Sequence, residues 1–228
     1  MDSLIRRSVA EMFGTFGFIF FGAGAVVASV FPGAGYGLLG IALVHAIALS
    51  IMVTATMNIS GGHINPAITI SLLAVRRITL QTAVFYIVAQ LIGAVLGAMA
   101  LKMMLPSQVV RGALSGVPTI ASTMTTGKAI ALEALLTFFL VSAVFGTAVS
   151  PDAPKVGGFG IGLVVFFAIM IGGPLTGAAM NPARAFGPAV ASGIWTAQGI
   201  WWVGPIVGGV LAALLWDKFL LPRHQPAS

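Results

Sequence analysis

Two stretches of this chain carry side chains suited to holding something polar and uncharged: Ser60-Gly61-Gly62-His63-Ile64-Asn65-Pro66-Ala67 and Gly177-Ala178-Ala179-Met180-Asn181-Pro182-Ala183-Arg184. Both contain Asn-Pro-Ala. Proline suits the first helical turn, where its missing N–H costs nothing. Asparagine is among the best N-caps, and the residue before a proline is pushed out of the helical region, as a cap requires. Each tripeptide therefore reads as a helix start. The Asn oxygen can accept from the first helical N–H groups while its amide still offers donors to whatever lies in front. Asp would cap equally well but would add a negative charge. Two such starts facing each other put about half a positive charge from each helix dipole at one place, which repels a cation and welcomes a neutral hydrogen-bonding molecule. The carbonyls of the residues ahead of each cap would then form a ladder of acceptors: Gly61, Gly62, His63 and Ile64 on one side, Thr176, Gly177, Ala178 and Ala179 on the other.

The elements that must position these caps lie in a membrane. Charged residues make up 7% of the chain and hydrophobic ones 58%, and the mean hydropathy is +1.06, whereas a water-exposed domain carries about 25% charged residues. A helix needs about 20 mostly apolar residues to cross the hydrocarbon. On that ruler six spans are expected near 8–30, 37–57, 80–104, 129–149, 156–175 and 199–220. Two apolar pieces remain, 66–75 and 182–191, one after each Asn-Pro-Ala. Ten helical residues rise about 15 Å, half the distance, so each reads as a half-helix that enters and turns back. Non-helical backbone ahead of such a cap is tolerated at membrane depth only where it lines a polar cavity.

An internal repeat supports this architecture. Glu11-x-x-x-Thr15 recurs as Glu133-x-x-x-Thr137, and Gly40-Ile41-Ala42-Leu43-Val44 as Gly160-Ile161-Gly162-Leu163-Val164. Ala94-Val95-Leu96-Gly97-Ala98 recurs as Gly209-Val210-Leu211-Ala212-Ala213. With Asn-Pro-Ala, four markers recur in one order. Three spans per half force the second copy to enter from the opposite side, an inverted repeat. The fold class expected is an all-α membrane protein of six transmembrane helices and two re-entrant half-helices. It forms a single domain over 1–228, with repeats of about 1–104 and 128–228 and a connector over 105–127.

Charge placement orients it. Arg6, Arg7, Arg76, Arg77, Lys155, Lys218 and Arg223 fall on the side of the N-terminus, and Lys102, Arg111, Lys128 and Arg184 opposite. Seven against four places both termini in the cytoplasm by the positive-inside rule, and the bias suits a plasma (inner) membrane. The N-terminus runs directly into the first apolar segment without a small-residue cleavage site, so it reads as a span rather than a signal peptide. Net charge is +6, but no basic run interleaved with aromatics suggests nucleic acid. The chain has no cysteine, no nucleophile–base set and no metal-ligating cluster, so no enzyme activity, cofactor or metal is expected.

Glu11 and Glu133 lie within spans, where an ionised carboxylate needs a partner. They read either as acceptors for the non-helical backbone before each half-helix or as transport residues, and their symmetric duplication favours the first. His63 reads as a brace for its loop or a solute contact. Gly93, Gly97, Gly208 and Gly209 read as close helix packing. Trp201 and Trp202 suit either an interfacial belt or packing on the pore side.

The two Asn-Pro-Ala stretches, with Ala185-Phe186-Gly187-Pro188 after the second, resemble the signatures of the aquaporin family, and the resemblance spans essentially the whole chain. It implies a water channel that excludes ions, with a homotetrameric assembly and one pore per subunit. It also implies a second constriction made by Arg184, by Ala178 three residues before the second Asn, by Ile169 twelve before it, and by His45 twenty before the first. This set departs from the water-specific pattern, which has Phe and His at the places of His45 and Ile169, and is closer to that of plant tonoplast aquaporins. Chemically, Arg184 supplies fixed donors and a permanent charge, His45 a polar edge, Ile169 an apolar wall, and Ala178 room. Gly173-Pro174-Leu175-Thr176-Gly177 looks like the glycerol-facilitator branch, but Ala185 stands where that branch carries Asp. Water is the expected solute, with ammonia or another small neutral molecule admitted by the wider filter. The rivals are a glycerol-type facilitator and, from another class, a secondary transporter with broken helices.

Overall fold

The computed structural model describes residues 2–222; Arg223 lies outside the described residues. Nine α-helices follow one another among them: α1 (Asp2–Ser29), α2 (Gly37–Ser60), α3 (Pro66–Ala74), α4 (Leu80–Met104), α5 (Ser107–Gly112), α6 (Thr126–Val144), α7 (Phe159–Thr176), α8 (Pro182–Ser192) and α9 (Ile200–Leu215). α6 and α9 each run on into a π-helical turn, Phe145–Val149 and Trp216–Leu220. Among the described residues, six helices are long and apolar enough to cross a membrane, and α3 and α8 are half-length, at nine and eleven residues. The fold is thus the expected all-α one of six spans and two half-helices.

The boundaries shift for local reasons. α2 continues to Ser60, where Gly61 takes a left-handed φ of 95° and returns its N–H to the Met57 carbonyl, a glycine stop. α6 begins earlier than expected because Thr125 caps it by accepting the Lys128 N–H at 3.3 Å. Residues 105–127, expected as a plain connector, contain α5 and a 3₁₀ turn, Leu114–Gly116. This segment folds inward because Val110 and Val117 bury themselves.

The long helices close on one another through glycine. α1 packs on α4 and α6 on α9. A Cβ placed on Gly93 would run into the Met12 carbonyl of α1, and one on Gly208 into the Ala134 carbonyl of α6. Met12 and Ala134 each follow one of the buried glutamates, so the two contacts are equivalent and relate position 93 to 208. The half-helices are exchanged between the halves, α3 lying against α9 and α8 against α4. Their far ends are latched at equivalent positions, nine residues past those glycines. Lys102 Nζ donates to the Ala191 carbonyl near the end of α8 at 2.7 Å, a cation at a helix C-terminus. Asp217 accepts from Arg77, just beyond α3, at 2.9 Å. The second latch is about a third exposed, so its worth is about 1 kcal/mol at most.

Because backbone fills the space beside Gly208, Gly208→Val should destabilise the fold by about 3 kcal/mol or more. Gly199→Ala, whose Cβ would meet nothing within 4 Å, should be silent. Thermal unfolding in detergent compares the two.

Candidate pore

The two half-helices begin where the sequence places their caps. Asn65 is extended (φ −152°) and its Oδ1 accepts the Ala67 N–H at 2.8 Å. Asn181 is likewise extended (φ −150°) and accepts from Ala183 at 2.9 Å and Arg184 at 3.4 Å. The N-termini meet head to head. Asn65 Nδ2 donates to the Met180 carbonyl at 2.9 Å, and Asn181 Nδ2 donates to the Ile64 carbonyl at 3.0 Å. One N–H of each amide is spent on this exchange, so each Asn retains one donor rather than two. Ile64 (φ 55°) and Met180 (φ 50°) hold left-handed backbone, at a cost of about 1–3 kcal/mol each, and this twist aims their carbonyls across to the opposite Asn.

Glu11 and Glu133 hold these loops. Glu11 accepts from Ser60 Oγ (2.6 Å), His63 N (2.9 Å), Ile64 N (2.6 Å) and Gln90 Nε2 (2.8 Å). Glu133 accepts from Thr176 Oγ1 (2.7 Å), Ala179 N (3.0 Å) and Met180 N (2.8 Å). Both side chains are completely buried. Of the two readings open for these acids, the structure matches the structural one. Two further side chains support the loops: Tyr86, not singled out from the sequence, and Trp201, expected there only as an interfacial or pore-side residue. Tyr86 donates its hydroxyl to the Ser60 carbonyl at 2.7 Å, and Trp201, at the equivalent position, donates Nε1 to the Thr176 carbonyl at 2.9 Å. Counting from the paired glycines 93 and 208 would have related Tyr86 to Trp201. Trp201 is thus buried in the interior, while Trp202 is half-buried beside Phe186.

Three cavities share walls in succession. The one on the N-terminal side, of about 160 Å³, is walled by Gly61, Gly62 and His63 and by apolar side chains including Leu49 and Ile68. The middle one, also touching Leu49 and Ile68, holds only about 10 Å³ between His45, Asn65, Ile169, Ala178, Ala179, Met180, Asn181 and Arg184. That is room for roughly one water. The third, about 140 Å³, shares His45, Ile169 and Arg184 with the middle one and opens between Gly177 and residues 117–119. The four residues named for a second constriction are therefore together at the neck.

Thr176 departs from the expected ladder: it is wholly buried and its carbonyl is taken by Trp201. The Ile64 carbonyl, also expected in the ladder, accepts from Asn181, and Met180, absent from the expected set, lines the neck with its carbonyl given to Asn65. Arg184 is buried and donates Nη1 to the Gly116 carbonyl at 2.6 Å, a contact invisible in the sequence because Gly116 sits in the connector. His45 Nδ1 lies 2.9 Å from the Ile41 carbonyl and, since a carbonyl only accepts, carries the proton. His63 is tied into its loop through Thr69 and also faces a cavity. Its Nδ1 lies 3.1 Å from the Thr69 hydroxyl, which also bonds the Asn65 carbonyl at 3.1 Å; the same ring lines the first cavity.

The repeat explains why the four-residue constriction has no narrow counterpart in the other half. The second-span match expected from the sequence, residues 40–44 with 160–164, is one helical turn out of register, because the glycines that end α2 and α7, Gly61 and Gly177, are 116 residues apart, as are Asn65 and Asn181. At that offset the counterparts of His45, Ile169, Ala178 and Arg184 are Ile161, Val53, Gly62 and Ile68. All four line the first cavity. The same scaffold carries a polar, narrow ring at one end and an apolar, wide one at the other.

Residues 1–216 match the family described as Major intrinsic protein. The chain belongs to that family. Among similar major intrinsic proteins, Aquaporin TIP4-4 of Zea mays is 41% identical, aligned over 97% of this chain and 90% of its own. Probable aquaporin TIP3-2 of Arabidopsis thaliana is 39% identical with the same coverages. Aquaporin-5 of Mus musculus is 41% identical over 96% of this chain and 83% of its own. The fold is similar to the X-ray structure of the aquaglyceroporin from Plasmodium falciparum, with a TM-score of 0.85 and 23% identity over 96% of this chain and 97% of that one.

Glu133→Ala would strand two buried loop N–H groups, those of Ala179 and Met180, each worth about 1–3 kcal/mol when left unsatisfied, while the Thr176 hydroxyl can turn to the Gly172 carbonyl. It should lose most folded protein on size exclusion, and Glu11→Ala, which strands the His63 and Ile64 N–H groups in the same way, should be no better.

Proposed function

We propose that this major intrinsic protein is a passive channel for water that also admits ammonia or another small neutral solute while refusing protons and ions. The observation that carries this reading is the neck of about 10 Å³ bounded at once by both Asn caps and by Arg184. A single molecule there meets one free N–H from each Asn, the positive ends of two helix dipoles, and a permanent guanidinium. No carboxylate lines the neck to offset them. A cation is therefore repelled, and a neutral molecule gives its lone pairs to the donors and its protons to carbonyls such as those of Gly62 and Ala178. Asn65, Pro66, Ala67, Asn181, Pro182 and Ala183 set this central region. His45, Ile169, Ala178 and Arg184 filter by size and polarity.

A secondary transporter needs a coupling site, and the in-span acids that could make one, Glu11 and Glu133, are occupied by loop N–H groups. The neck volume favours water over a glycerol-sized solute. The chain acts as one channel domain of two inverted repeats, assembles as a homotetramer with a pore in each subunit, and lies in the plasma (inner) membrane with both termini cytoplasmic. The basic excess on the N-terminal side supports that orientation.

Stopped-flow light scattering on proteoliposomes should show fast osmotic water flow with a low activation energy and no dissipation of a proton gradient; gradient-coupled, saturable uptake without water flow would replace the channel with a transporter. Asn181→Asp, which puts a negative charge at the neck, should reduce cation exclusion, read as sodium or proton leak in the same vesicles. Protease accessibility of a C-terminal tag in intact cells tests the orientation.

A further inference from the structure

We propose that Gly22, on α1, determines the aperture of the neck by providing the notch in which the His45 ring rests. This inference deepens the channel reading and rests on it. Phe18, Gly22 and Val26 fall four residues apart on one face of α1. Phe18 lines the middle cavity and Val26 the outer one. Gly22, between them, interrupts the wall, and the His45 ring fills the gap. A Cβ at position 22 would lie 2.8 Å from His45 Cδ2 and 3.0 Å from Nε2, closer than real side chains approach, so the ring could not stay where it is.

The ring has only one way to go. Nδ1 is tied to the Ile41 carbonyl of its own helix, and Phe18 meets the ring edge-on at 6.0 Å. Nε2, at the far end, is buried without a hydrogen-bond partner. Among the described residues no protein group bonds Nε2, so on that side the ring rests on packing against Gly22. A side chain at 22 moves the ring off α1 into the space it shares with Ile169 and Arg184.

The other half of the molecule carries the same wall without a notch. Offset by the 122 residues between Glu11 and Glu133, the counterparts of Phe18, Gly22 and Val26 are Leu140, Val144 and Ala148. Val144 and Ala148 line the first cavity directly, and the residue equivalent to His45 there is Ile161, which needs no recess. The glycine stands only where the imidazole must be accommodated. Gly22 is thus a positioning residue for specificity, acting through His45.

The test is a cycle of Gly22→Ala, His45→Ala and the double variant, with Gly24→Ala as control, since a Cβ there would approach only a flexible Leu101 methyl at 3.0 Å. Proteoliposome fluxes of water, ammonia, urea and glycerol are measured for each. Gly22→Ala should lower the flux of the largest solute that the unaltered protein conducts by about tenfold, lower water flux less, and have under twofold effect in the His45→Ala background. Unchanged ratios between solutes, or the same loss with and without His45, would overturn the proposal. Should Gly22→Ala fail to reconstitute, recovery in the double variant supports a clash with the ring, and failure of both while Gly24→Ala reconstitutes overturns it. Absence of water flux in the unaltered protein would instead defeat the channel reading itself.

Discussion

A chain that breaks its helices at the middle of a membrane must find a partner for every backbone group it frees, because the hydrocarbon supplies none. Two buried carboxylates meet this demand. Glu11 and Glu133 each gather a hydroxyl and two consecutive loop N–H groups, and each is carried on a helix that packs through glycine against a neighbour. The remainder of the pore follows. The N–H groups of Ile64 and Met180 are held by the acids, which fixes their left-handed backbone and turns their carbonyls across the midplane. The opposing asparagines bind those carbonyls, which locks the two caps in register. An acid of opposite purpose, one that carries ions, would need its oxygens free, and these oxygens are not.

The two halves keep one geometry while differing in chemistry. Tyr86 and Trp201 brace equivalent carbonyls with different donors. Gln90 adds a fourth donor to Glu11, whereas its counterpart Pro205 has none to give. Lys102 and Asp217 latch opposite half-helices with opposite charges. Function enters through such differences. If the repeat were chemically exact, both ends of the pore would be alike. Arg184 in place of an Ile68-like residue and His45 in place of an Ile161-like one make a single polar, narrow ring, and the apolar counterpart lines a wider cavity. Gly22 against Val144 belongs to the same pattern, since a ring that large requires a recess its isoleucine counterpart does not.

Much of this was legible in the residues. The low charge and repeated apolar runs required six spans, and Asn-Pro before runs too short to cross required half-helices. Glu11 and Glu133, duplicated inside spans, could be read as loop supports because an unpaired acid there is untenable. The resemblance to the aquaporin family pointed to His45, Ile169, Ala178 and Arg184. Other contacts left no local mark. Gly116 binds Arg184 with a carbonyl, which every residue possesses, so its type announces nothing. Thr176 looked like a ladder carbonyl until Trp201, twenty-five residues away, was found to hold it. The asparagine donors were also overcounted, because their mutual exchange exists only once both loops are in place.

The sequence by itself determined the membrane setting, the element order, the helix starts and the chemical character of the groups at the caps. These depend on hydropathy, capping and backbone constraint, which act over a few neighbouring residues. Only the tertiary structure decided the width of the neck, the identity of the carbonyls left free, and the direction in which His45 and Arg184 reach. Those depend on how closely helices far apart in the chain approach one another, and a close approach is set by the residue that is missing a side chain as much as by the one that has it.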